Sequence, residues 1–378
     1  MSFRPDMLLT AGALEPAVRH LFELSAGKIR RLQKRWRPEL GAPVFTVQGR
    51  YTTRGWTEWT QGFQYGSALL QYEATGDAAF LDLGRRGTLE CMAGHVSHTG
   101  VHDHGFNNIS TYGNLLRLIR DGRASEEDVG TCELAMKVSG AVQASRWTVL
   151  ADGTGFIHSF NGPHSLFVDT LRSLRVLAVA HRLGHVLMGE QDARISLARR
   201  LAEHAINTAR YNVYYGEGRD AYDVPGRTAH EAVFNVASGV FRCPNSQQGW
   251  SPFTTWTRGL AWAICGFSEL LEFIADTGSL EEDTAPTEEL VRVLVRAARV
   301  TSEFYLAHCC ADGIPPWDTG APRLGGWGDY TSAPSDPFNI WEPVDSSAAA
   351  IAAQGFLRLA RVLSGAAVHG GHAWLRQD

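Results

Sequence analysis

Residues 15–37 read EPAVRHLFELSAGKIRRLQKRWR, and the pattern in this stretch decides the fold. Its apolar residues recur at spacings near three and four, as on one face of an α-helix (Val18, Leu21, Phe22, Ile29 and Leu32). Similar patterns continue along the chain, and no segment shows convincing strand alternation. The sequence therefore predicts an all-α protein with ten helices, at residues 15–37, 62–75, 78–95, 108–120, 125–147, 166–183, 190–211, 257–277, 287–308 and 346–363.

The connections between the predicted helices differ in length in a regular way. Short turns alternate with long loops rich in Gly, Trp and His, at residues 48–59, 150–165, 214–255 and 311–345. Such an alternation is typical of helical hairpins, and loops of this length inside a compact domain are usually functional. No internal repeat supports an open solenoid. We predict a single (α/α)-barrel domain over residues 1–378, with the site on the face that carries the long loops.

The charge and hydropathy of the chain exclude two classes of partner. The formal net charge is −5, and no run of Lys or Arg forms a basic stripe that could follow phosphates, so we predict no nucleic-acid partner. The first residues lack a basic segment followed by an apolar one, and no stretch of about 18 uncharged apolar residues occurs. We therefore predict a soluble protein with no membrane partner.

Six cysteines are scattered along the chain without any C-x-x-C pairing (Cys91, Cys132, Cys243, Cys265, Cys309 and Cys310). The adjacent pair Cys309 and Cys310 is a poor candidate for a structural disulfide, because neighbouring residues rarely reach disulfide geometry. This pattern fits a reducing compartment best, and we predict a cytoplasmic location.

The segment VHDHGF at residues 101–106 places Asp103 between two histidines, just before a predicted helix. A carboxylate at a helix N-terminus is favoured in its ionised form. One interpretation is a capping Asp whose carboxylate binds free backbone N–H groups. The other is a functional carboxylate, and the flanking histidines favour it.

The segment LFVDTLRSLRVLAVAHRL at residues 166–183 places Asp169 at the apolar start of a predicted helix, where an isolated carboxylate is costly. One interpretation is that burial raises the pKa of Asp169, as a general acid near neutral pH requires. The other is that Arg172, three positions on, pairs with Asp169 on the same face. The residues alone leave both open.

Four histidines surround Asp103 in the sequence (His95, His98, His102 and His104). Their spacing matches no metal-binding signature. Adjacent histidines in a loop more often orient a carboxylate or donate to sugar hydroxyls. We therefore predict no metal site here.

Several of the 11 Trp residues lie in Gly-rich or Pro-rich connections, where rings are typical of a sugar-stacking cleft. In TTWTRGLAWAICGF, residues 254–267, Arg258 lies four positions before Trp262, so the two share one helix face. A guanidinium can bind a sugar carboxylate while an indole stacks on the pyranose, although an Arg that merely stacks on Trp gives the same pattern. The same two interpretations apply to Trp56 and Trp59.

Five segments, taken in order, resemble the unsaturated glucuronyl hydrolases of glycoside hydrolase family 88, and more distantly the unsaturated rhamnogalacturonyl hydrolases of family 105. Each match is weak alone, but together they cover most of the chain. They are WTQGFQYGSALLQYEATGD (59–77), HDHGF (102–106), the D-x-x-x-x-L segment at Asp169 preceded by GFIHSF (155–160), TTWTRGLAWAICGF (254–267) and VDSSAAAIAAQGFLRLA (344–360).

The resemblance implies an (α/α)6 barrel, with a final hairpin that is shortened or missing in this chain. It also implies that Asp169 is the general acid and base, with Asp103 as its partner. Such enzymes hydrate the 4,5 double bond of a terminal unsaturated uronate: a proton adds at C4, water adds at C5, and the resulting hemiketal opens to release the shortened sugar. The expected partner is thus an oligosaccharide with a terminal uronate, and neither a metal nor another cofactor is needed.

By the same resemblance, the remaining site residues bind the sugar. Trp59 stacks near it, His102 flanks the carboxylate, His230 is a weaker candidate for a sugar-binding residue, and three residues line the pocket (Trp256, Arg258 and Trp262). One departure concerns Leu260, where the related enzymes usually have Gln, so one hydrogen bond to substrate is expected to be lost. Gln247 or Gln248 is a candidate replacement.

Two other functions stay open at this point. The same barrel supports an ordinary glycosidase that removes saturated glucuronate, with two carboxylates flanking the scissile bond; a sugar epimerase is a minor variant of this enzyme class. The barrel also supports a carbohydrate-binding protein in which Asp103 and Asp169 only cap helices. The test is whether the two acids meet at one site.

Overall fold

The computed structural model describes residues 9–53, 58–277 and 287–365. Most of its helices overlap the predicted ranges, although the structure divides some of these ranges into two helices, and the helix predicted at 190–211 begins only at Leu197. They are α1 (Ala11–Arg35), α2 (Gln61–Thr75), α3 (Ala78–Cys91), α4 (Ala93–Val96), α5 (His104–Asn108), α6 (Asn114–Arg120), α7 (Val129–Ser145), α8 (Thr170–Ser173), α9 (Arg175–Arg182), α10 (Leu197–Tyr211), α11 (Thr257–Thr277), α12 (Thr287–His308) and α13 (Ser346–Leu363). A π-helical turn, Ile109–Gly113, joins α5 to α6.

The helices form an inner and an outer layer. Helices α2, α5, α8, α11 and α13 make the inner series, in which each contacts the next. Outside them, α3 packs on α2, α7 packs on α5 and α9, α10 packs on α9, and α12 packs on α11. Helix α11 is buried along nearly its whole length, and its sequence is largely apolar. The predicted (α/α)-barrel arrangement is confirmed.

One apolar cluster runs through the barrel wall, with buried side chains from most of the helices (among them Leu69, Leu115, Met136, Leu177 and Phe267). Fully burying a side chain of this size contributes about 1.5–3 kcal/mol. Glycine allows close contact between some of the helices. A Cβ added at Gly140 of α7 lies 2.5 Å from Cβ of Ala180 on α9, so only glycine permits this contact.

In the described ranges nine short strands lie between the helices, contrary to the expectation of no strands. They are β1 (Phe45–Val47), β2 (Arg50–Thr52), β3 (Trp147–Val149), β4 (Gly155–Ile157), β5 (Ser165–Phe167), β6 (Leu187–Met188), β7 (Arg194–Ile195), β8 (Glu231–Asn235) and β9 (Val240–Asn245). All pairings are antiparallel: β1 with β2, β3 with β4, β6 with β7, and a three-stranded sheet in the order β5-β8-β9. Strands of two to six residues are too short to give a readable alternation.

The predicted helix at 166–183 differs most from the structure. It begins as strand β5, and helix starts only after Asp169, as α8 and then α9. The apolar run Leu166–Phe167 is fully buried in the sheet, and a short buried strand has the same hydrophobic pattern as a buried helix. The strand matters because it aligns Asp169 with the neighbouring strand β8.

Two expectations concern residues beyond the described ranges. Trp56 and the end of the chain after residue 365, where a shortened final hairpin is expected, both lie outside the described residues. The prediction of a single domain over residues 1–378 also includes such residues and stays a prediction. Among the helices that are described, none is long and apolar enough to cross a membrane.

Candidate active site

The HDHG turn is fixed by buried hydrogen bonds from two neighbouring helices. Gln143 of α7 donates to the carbonyl of His102 at 2.9 Å, and the hydroxyl of Ser173 donates to the same carbonyl at 2.6 Å. The Ser173 hydroxyl also accepts the N–H of Gly105 at 2.8 Å. A Cβ added at Gly105 lies 2.1 Å from the carbonyl oxygen of Ser173, so the turn requires glycine here. Asp103 therefore has a rigid backbone.

Asp169 is placed by the sheet rather than by a helix. It follows strand β5 directly, and the N–H of Val168 donates to the carbonyl of His230 at 2.9 Å, where strand β8 begins. Strands β5 and β8 are antiparallel neighbours, so the residues beside their ends are adjacent, and the side chains of Asp169 and His230 are in contact. Their sheet thus brings together two residues that are 61 positions apart in the sequence.

The two carboxylates converge on one imidazole. Nε2 of His102 lies 3.4 Å from Oδ2 of Asp169 and 3.8 Å from Oδ1 of Asp103. Neither carboxylate makes a capping hydrogen bond to the helix that it precedes, so the interpretation of both as helix caps is wrong. Asp103 is 9% exposed and Asp169 is 6% exposed. Two acids that are distant in sequence therefore share one nearly buried site.

His230 has a defined tautomer. Its Nδ1 accepts the backbone N–H groups of Gln247 at 3.0 Å and Gln248 at 3.2 Å, so the neutral ring carries its proton on Nε2. Nε2 lies 3.4 Å from Oδ1 of Asp169. His230 therefore presents an N–H to this carboxylate. Gln247 and Gln248 reach the site through their backbone, a role that their side-chain chemistry does not predict.

The pKa of Asp169 is shifted in the direction opposite to the one that burial alone produces. Burial raises the pKa of this carboxyl, but hydrogen bonds from His102 and His230 outweigh it and hold the pKa below its ordinary value. Arg172 has no part in this, because it pairs with Glu269 at 2.9 Å. Both sequence interpretations of Asp169, a raised pKa and a pair with Arg172, are therefore wrong.

Asp103 and His102 shift in the other direction. Burial raises the pKa of Asp103, and the neighbouring charge of Asp169 adds to the rise. For His102, burial lowers the pKa, but the carboxylates of Asp103 and Asp169 together raise it above its ordinary value. In the free protein the contacts from the two histidines therefore favour the ionised form of Asp169, whereas burial favours the protonated form of Asp103.

The aromatic candidates form two groups beside the carboxylates. In the first, Phe106 of the HDHGF segment packs between Trp262 at 4.8 Å and Trp59 at 5.8 Å, measured between ring centroids. In the second, the ring of Trp256 lies 4.9 Å from that of His230. The structure therefore places Trp59 and Trp262 beside Phe106, and Trp256 beside His230.

Arg258 has a different partner from the predicted one. Its guanidinium lies 4.9 Å from the ring centroid of Trp256, whereas the cation over Trp262 is Arg172, at 5.9 Å. Nη1 of Arg258 also donates to Asp345 at 2.7 Å. The interpretation of Arg258 as a residue that merely stacks on Trp262 is therefore wrong, because Arg258 stacks on Trp256 instead.

The other histidines near Asp103 are structural. His95 pairs with Gln61 at 2.7 Å, and His104 contacts Ser139 at 2.8 Å and the carbonyl of His98 at 2.9 Å. Burial lowers the pKa of His95 and of His104 to about 4, so both are neutral near pH 7. Within residues 9–53, 58–277 and 287–365, no group of three or more His, Cys, Asp or Glu side chains could hold a metal ion.

Leu260, where the related enzymes usually have Gln, is a core residue. It is 1% exposed and belongs to an apolar cluster with Phe304 and Tyr305. A side chain in this position packs between α11 and α12 and is shielded from solvent. The structure therefore gives no support to the expected loss of a hydrogen bond to substrate.

Sequence reasoning missed three residues that hold the site together: Gln143, Ser173 and Asp345. Gln143 and Ser173 lie inside helical patterns, and nothing in the sequence separates them from ordinary polar positions. Asp345 does carry a signal, because VDSSAAA is an Asp directly before an apolar helical run, the pattern of a helix cap. Its second contact, to Arg258, depends on tertiary structure.

Two known proteins are similar to this chain in sequence. The chain is 24% identical over 307 residues to an unsaturated glucuronyl hydrolase of Formosa agariphila, covering 80% of this chain and 63% of that protein. It is 26% identical over 328 residues to an unsaturated glucuronyl hydrolase of Bacillus sp. strain GL1, covering 83% of this chain and 70% of that protein. The chain resembles unsaturated glucuronyl hydrolases. No protein-family model matches it.

The fold agrees with this resemblance. A crystal structure of an unsaturated glucuronyl hydrolase specific for heparin matches with a TM-score of 0.67 at 20% identity, covering 89% of this chain and 76% of that chain. Such structural neighbours are (α/α)6 barrels, which confirms the predicted fold class. The chain spans less than two thirds of the Formosa protein, so the two differ considerably in length.

Proposed function

We propose that the protein is a glycoside hydrolase that hydrates the 4,5 double bond of a terminal unsaturated uronate and thereby releases it from an oligosaccharide. The observation that carries the proposal is that Asp103 and Asp169 share one site, in which an oxygen of each carboxylate lies close to Nε2 of His102. The resemblance to unsaturated glucuronyl hydrolases supplies the substrate class. Hydration of a vinyl ether needs one proton donor and one base for water, and a pair of carboxyl groups can supply both.

In this mechanism Asp169 gives a proton to C4, which creates oxocarbenium character at C5. Water adds at C5 and returns its proton to the Asp169 carboxylate, so the acid is restored and no net proton is consumed. The hemiketal at C5 then opens and releases the shortened sugar. Asp103 is its partner, and burial of its carboxyl favours the protonated form by raising its pKa.

The low pKa of Asp169 in the free protein is compatible with its role as an acid once substrate is bound. The substrate carries its own carboxylate, and a like charge close to Asp169 raises the pKa of that residue. The proton can then move from the neighbouring Asp103 or His102 onto Asp169. Binding of a uronate is therefore expected to favour the acid form of the carboxyl pair.

We further propose that Arg258 binds the uronate carboxylate and that Trp59, Trp256 and Trp262 border the sugar. The role of Arg258 is supported by its exposure and its orientation. Its side chain is 30% exposed, and Asp345 holds one nitrogen of its guanidinium. A planar guanidinium recognises a carboxylate through two parallel hydrogen bonds. His230 contacts Asp169 directly, so it acts on the carboxyl pair as well as on the sugar.

The alternatives gain less support. A glycosidase for saturated glucuronate needs carboxyl groups on opposite sides of a scissile bond, whereas here both carboxylates lie against the same imidazole nitrogen. A protein that only binds carbohydrate has no need of two nearly buried acids with pKa values shifted in opposite directions. A cytoplasmic location is supported by the six cysteines, all of which are free thiols.

One assay separates these functions. The protein is mixed with an unsaturated disaccharide made by a polysaccharide lyase, and in parallel with an aryl glucuronide, which carries a saturated uronate. We expect the ultraviolet absorbance of the conjugated double bond to disappear while the aryl glucuronide stays intact. Release of the aryl group without loss of the double bond would establish the saturated glucuronidase instead, and binding without either reaction would establish the binding protein.

A further inference from the structure

Asp345 joins the starts of two neighbouring inner helices. It is the residue before α13, and Nη1 of Arg258, in the first turn of α11, donates to its Oδ2 at 2.7 Å. The same Nη1 lies 3.4 Å from the hydroxyl of Ser347. The guanidinium of Arg258 is therefore tied to α13 through one of its three nitrogens.

The Asp345 carboxylate is itself held rigidly. Its Oδ1 accepts the N–H of Ala348 at 3.0 Å and the hydroxyl of Ser347, and its own N–H donates to the carbonyl of Pro315 at 2.9 Å. A negative charge at a helix N-terminus is stabilised by the free N–H groups there. The Asp345 side chain is only 8% exposed, against 30% for Arg258. A buried, fixed anion thus holds a more exposed cation.

Arg258 is linked to the carboxyl pair through two intervening residues. Its guanidinium stacks 4.9 Å from the ring of Trp256, and Trp256 packs on His230, which contacts Asp169. Because both contacts to α13 use Nη1, they leave the Nε–Nη2 edge of the fork without an intramolecular hydrogen bond in the described part of the chain. That edge is the one that binds a carboxylate with two parallel hydrogen bonds.

We propose that Asp345 is a positioning residue that sets the orientation of Arg258 for the uronate carboxylate. The proposal rests on the proposed function of Arg258. Asp345 acts only through Arg258 and touches neither the sugar nor the reacting atoms. It therefore controls how strongly the anionic sugar is bound and leaves the proton transfer at Asp169 unchanged.

Asp345→Asn tests this, because Asn caps a helix as well as Asp does but cannot form the ion pair. We expect KM for the unsaturated disaccharide to rise about tenfold, as for loss of a partly buried charged contact, while kcat stays within about twofold. Asp345→Ser, whose hydroxyl can also cap the helix, should give the same rise in KM. An unchanged KM, or a loss confined to kcat, would overturn the proposal.

Asp77→Asn is the matched control. Asp77 also caps a helix, accepting the N–H of Ala79 at 3.0 Å, and also pairs with an arginine, Arg30, at 2.6 Å. It lies at the start of the outer helix α3, which packs on α2. We expect no change in KM. An equal rise in KM for both variants would mean that loss of any capping ion pair has this effect, which would contradict a specific role for Asp345.

A double-mutant cycle separates positioning from general support of the fold. If Asp345 acts through Arg258, Asp345→Asn has no further effect on KM once Arg258→Ala is present, so the two changes are not additive. Additive effects would overturn the proposal. The thermal midpoint of each variant is measured beside KM, since a purely structural ion pair changes stability without this dependence on Arg258.

A binding measurement distinguishes failure of this inference from failure of the proposed function. Calorimetric titration with free glucuronate needs no turnover, and glucose serves as the uncharged comparison. If the unaltered protein binds glucuronate but leaves the double bond intact, the proposed function fails, and weaker glucuronate binding by Asp345→Asn still supports the inference. If the unaltered protein binds glucuronate no better than glucose, the inference fails as well.

Discussion

Nε2 of His102 lies 3.4 Å from Oδ2 of Asp169, and both side chains are almost completely buried. This contact, together with the one from His230, holds the pKa of Asp169 below its ordinary value although burial alone raises it. His102 also contacts Asp103, whose pKa lies above its ordinary value because it is buried. One imidazole thus contacts two acids that are distant in the sequence and whose pKa values are shifted in opposite directions.

His102→Gln should change both the rate and its pH dependence. His102 lowers the pKa of both Asp103 and Asp169, so its removal raises the pKa of each carboxyl. The pair then keeps its proton to higher pH, and the alkaline limb of the kcat/KM profile moves to higher pH. We expect kcat to fall about 100-fold, the usual scale for disturbed acid–base catalysis. His20→Gln on the exposed face of α1 is the control, and an unshifted alkaline limb in His102→Gln would contradict this account.

Asp103→Asn should make the protein more stable and less active. A carboxyl whose pKa is raised by folding destabilises the folded state at neutral pH, and this cost vanishes below the ordinary pKa of 3.8. Chemical denaturation should therefore show a gain of about 1 kcal/mol at neutral pH that shrinks as the pH approaches 4. Asp152→Asn has the opposite expectation, because hydrogen bonds from Thr154 lower the pKa of Asp152. Destabilisation by Asp103→Asn at neutral pH would be evidence against a raised pKa.

Two glycines of α7 form a matched pair for the barrel packing. Gly140→Ala places a Cβ 2.5 Å from that of Ala180, so α7 and α9 must separate, and we expect a loss of about 1–3 kcal/mol in the free energy of unfolding. Gly130→Ala meets open space, and in a helix it should stabilise the protein by about 0.5–1 kcal/mol. Equal effects of the two substitutions on denaturant midpoints would show that the contact between α7 and α9 is wrong.

The protein should lose stability as the pH falls below the ordinary pKa of histidine, 6.5. Burial lowers the pKa of three histidines to about 4 (His95, His104 and His158) and that of His204 to about 3. Between the ordinary value of 6.5 and about 4, the unfolded chain binds protons that the folded chain does not, so the free energy of unfolding falls with falling pH. Urea denaturation at pH 7 and pH 5 measures this, and equal unfolding free energies would refute it.

The helical part of the fold could be predicted because its signal is local. The apolar stripe of α1 and the largely apolar α11 each repeat one pattern over many residues. Strand β5 could not be predicted, since its three buried residues match the start of a helix equally well. Its pairing with β8 depends on residues about 65 positions further on, which no local pattern describes.

The site divides in the same way. Motif positions identified both acids and His102, because Asp103 and its histidines are adjacent in the sequence. The charge of Asp169 could not be predicted, since it depends on His230 reaching it across the sheet and on Arg172 pairing with Glu269 instead. Similarly, the cap signal at Asp345 is readable in the sequence, but its contact with Arg258 spans 87 positions.

The central claim is that Asp169 transfers the proton that starts hydration. Its most direct test is the rate at which Asp169→Asn removes the double bond of a lyase-derived unsaturated disaccharide, measured beside its thermal midpoint and its affinity for the substrate. We predict a fall in kcat of at least about 1000-fold, with the fold and substrate binding retained. A folded Asp169→Asn variant that keeps most of the activity would contradict the account.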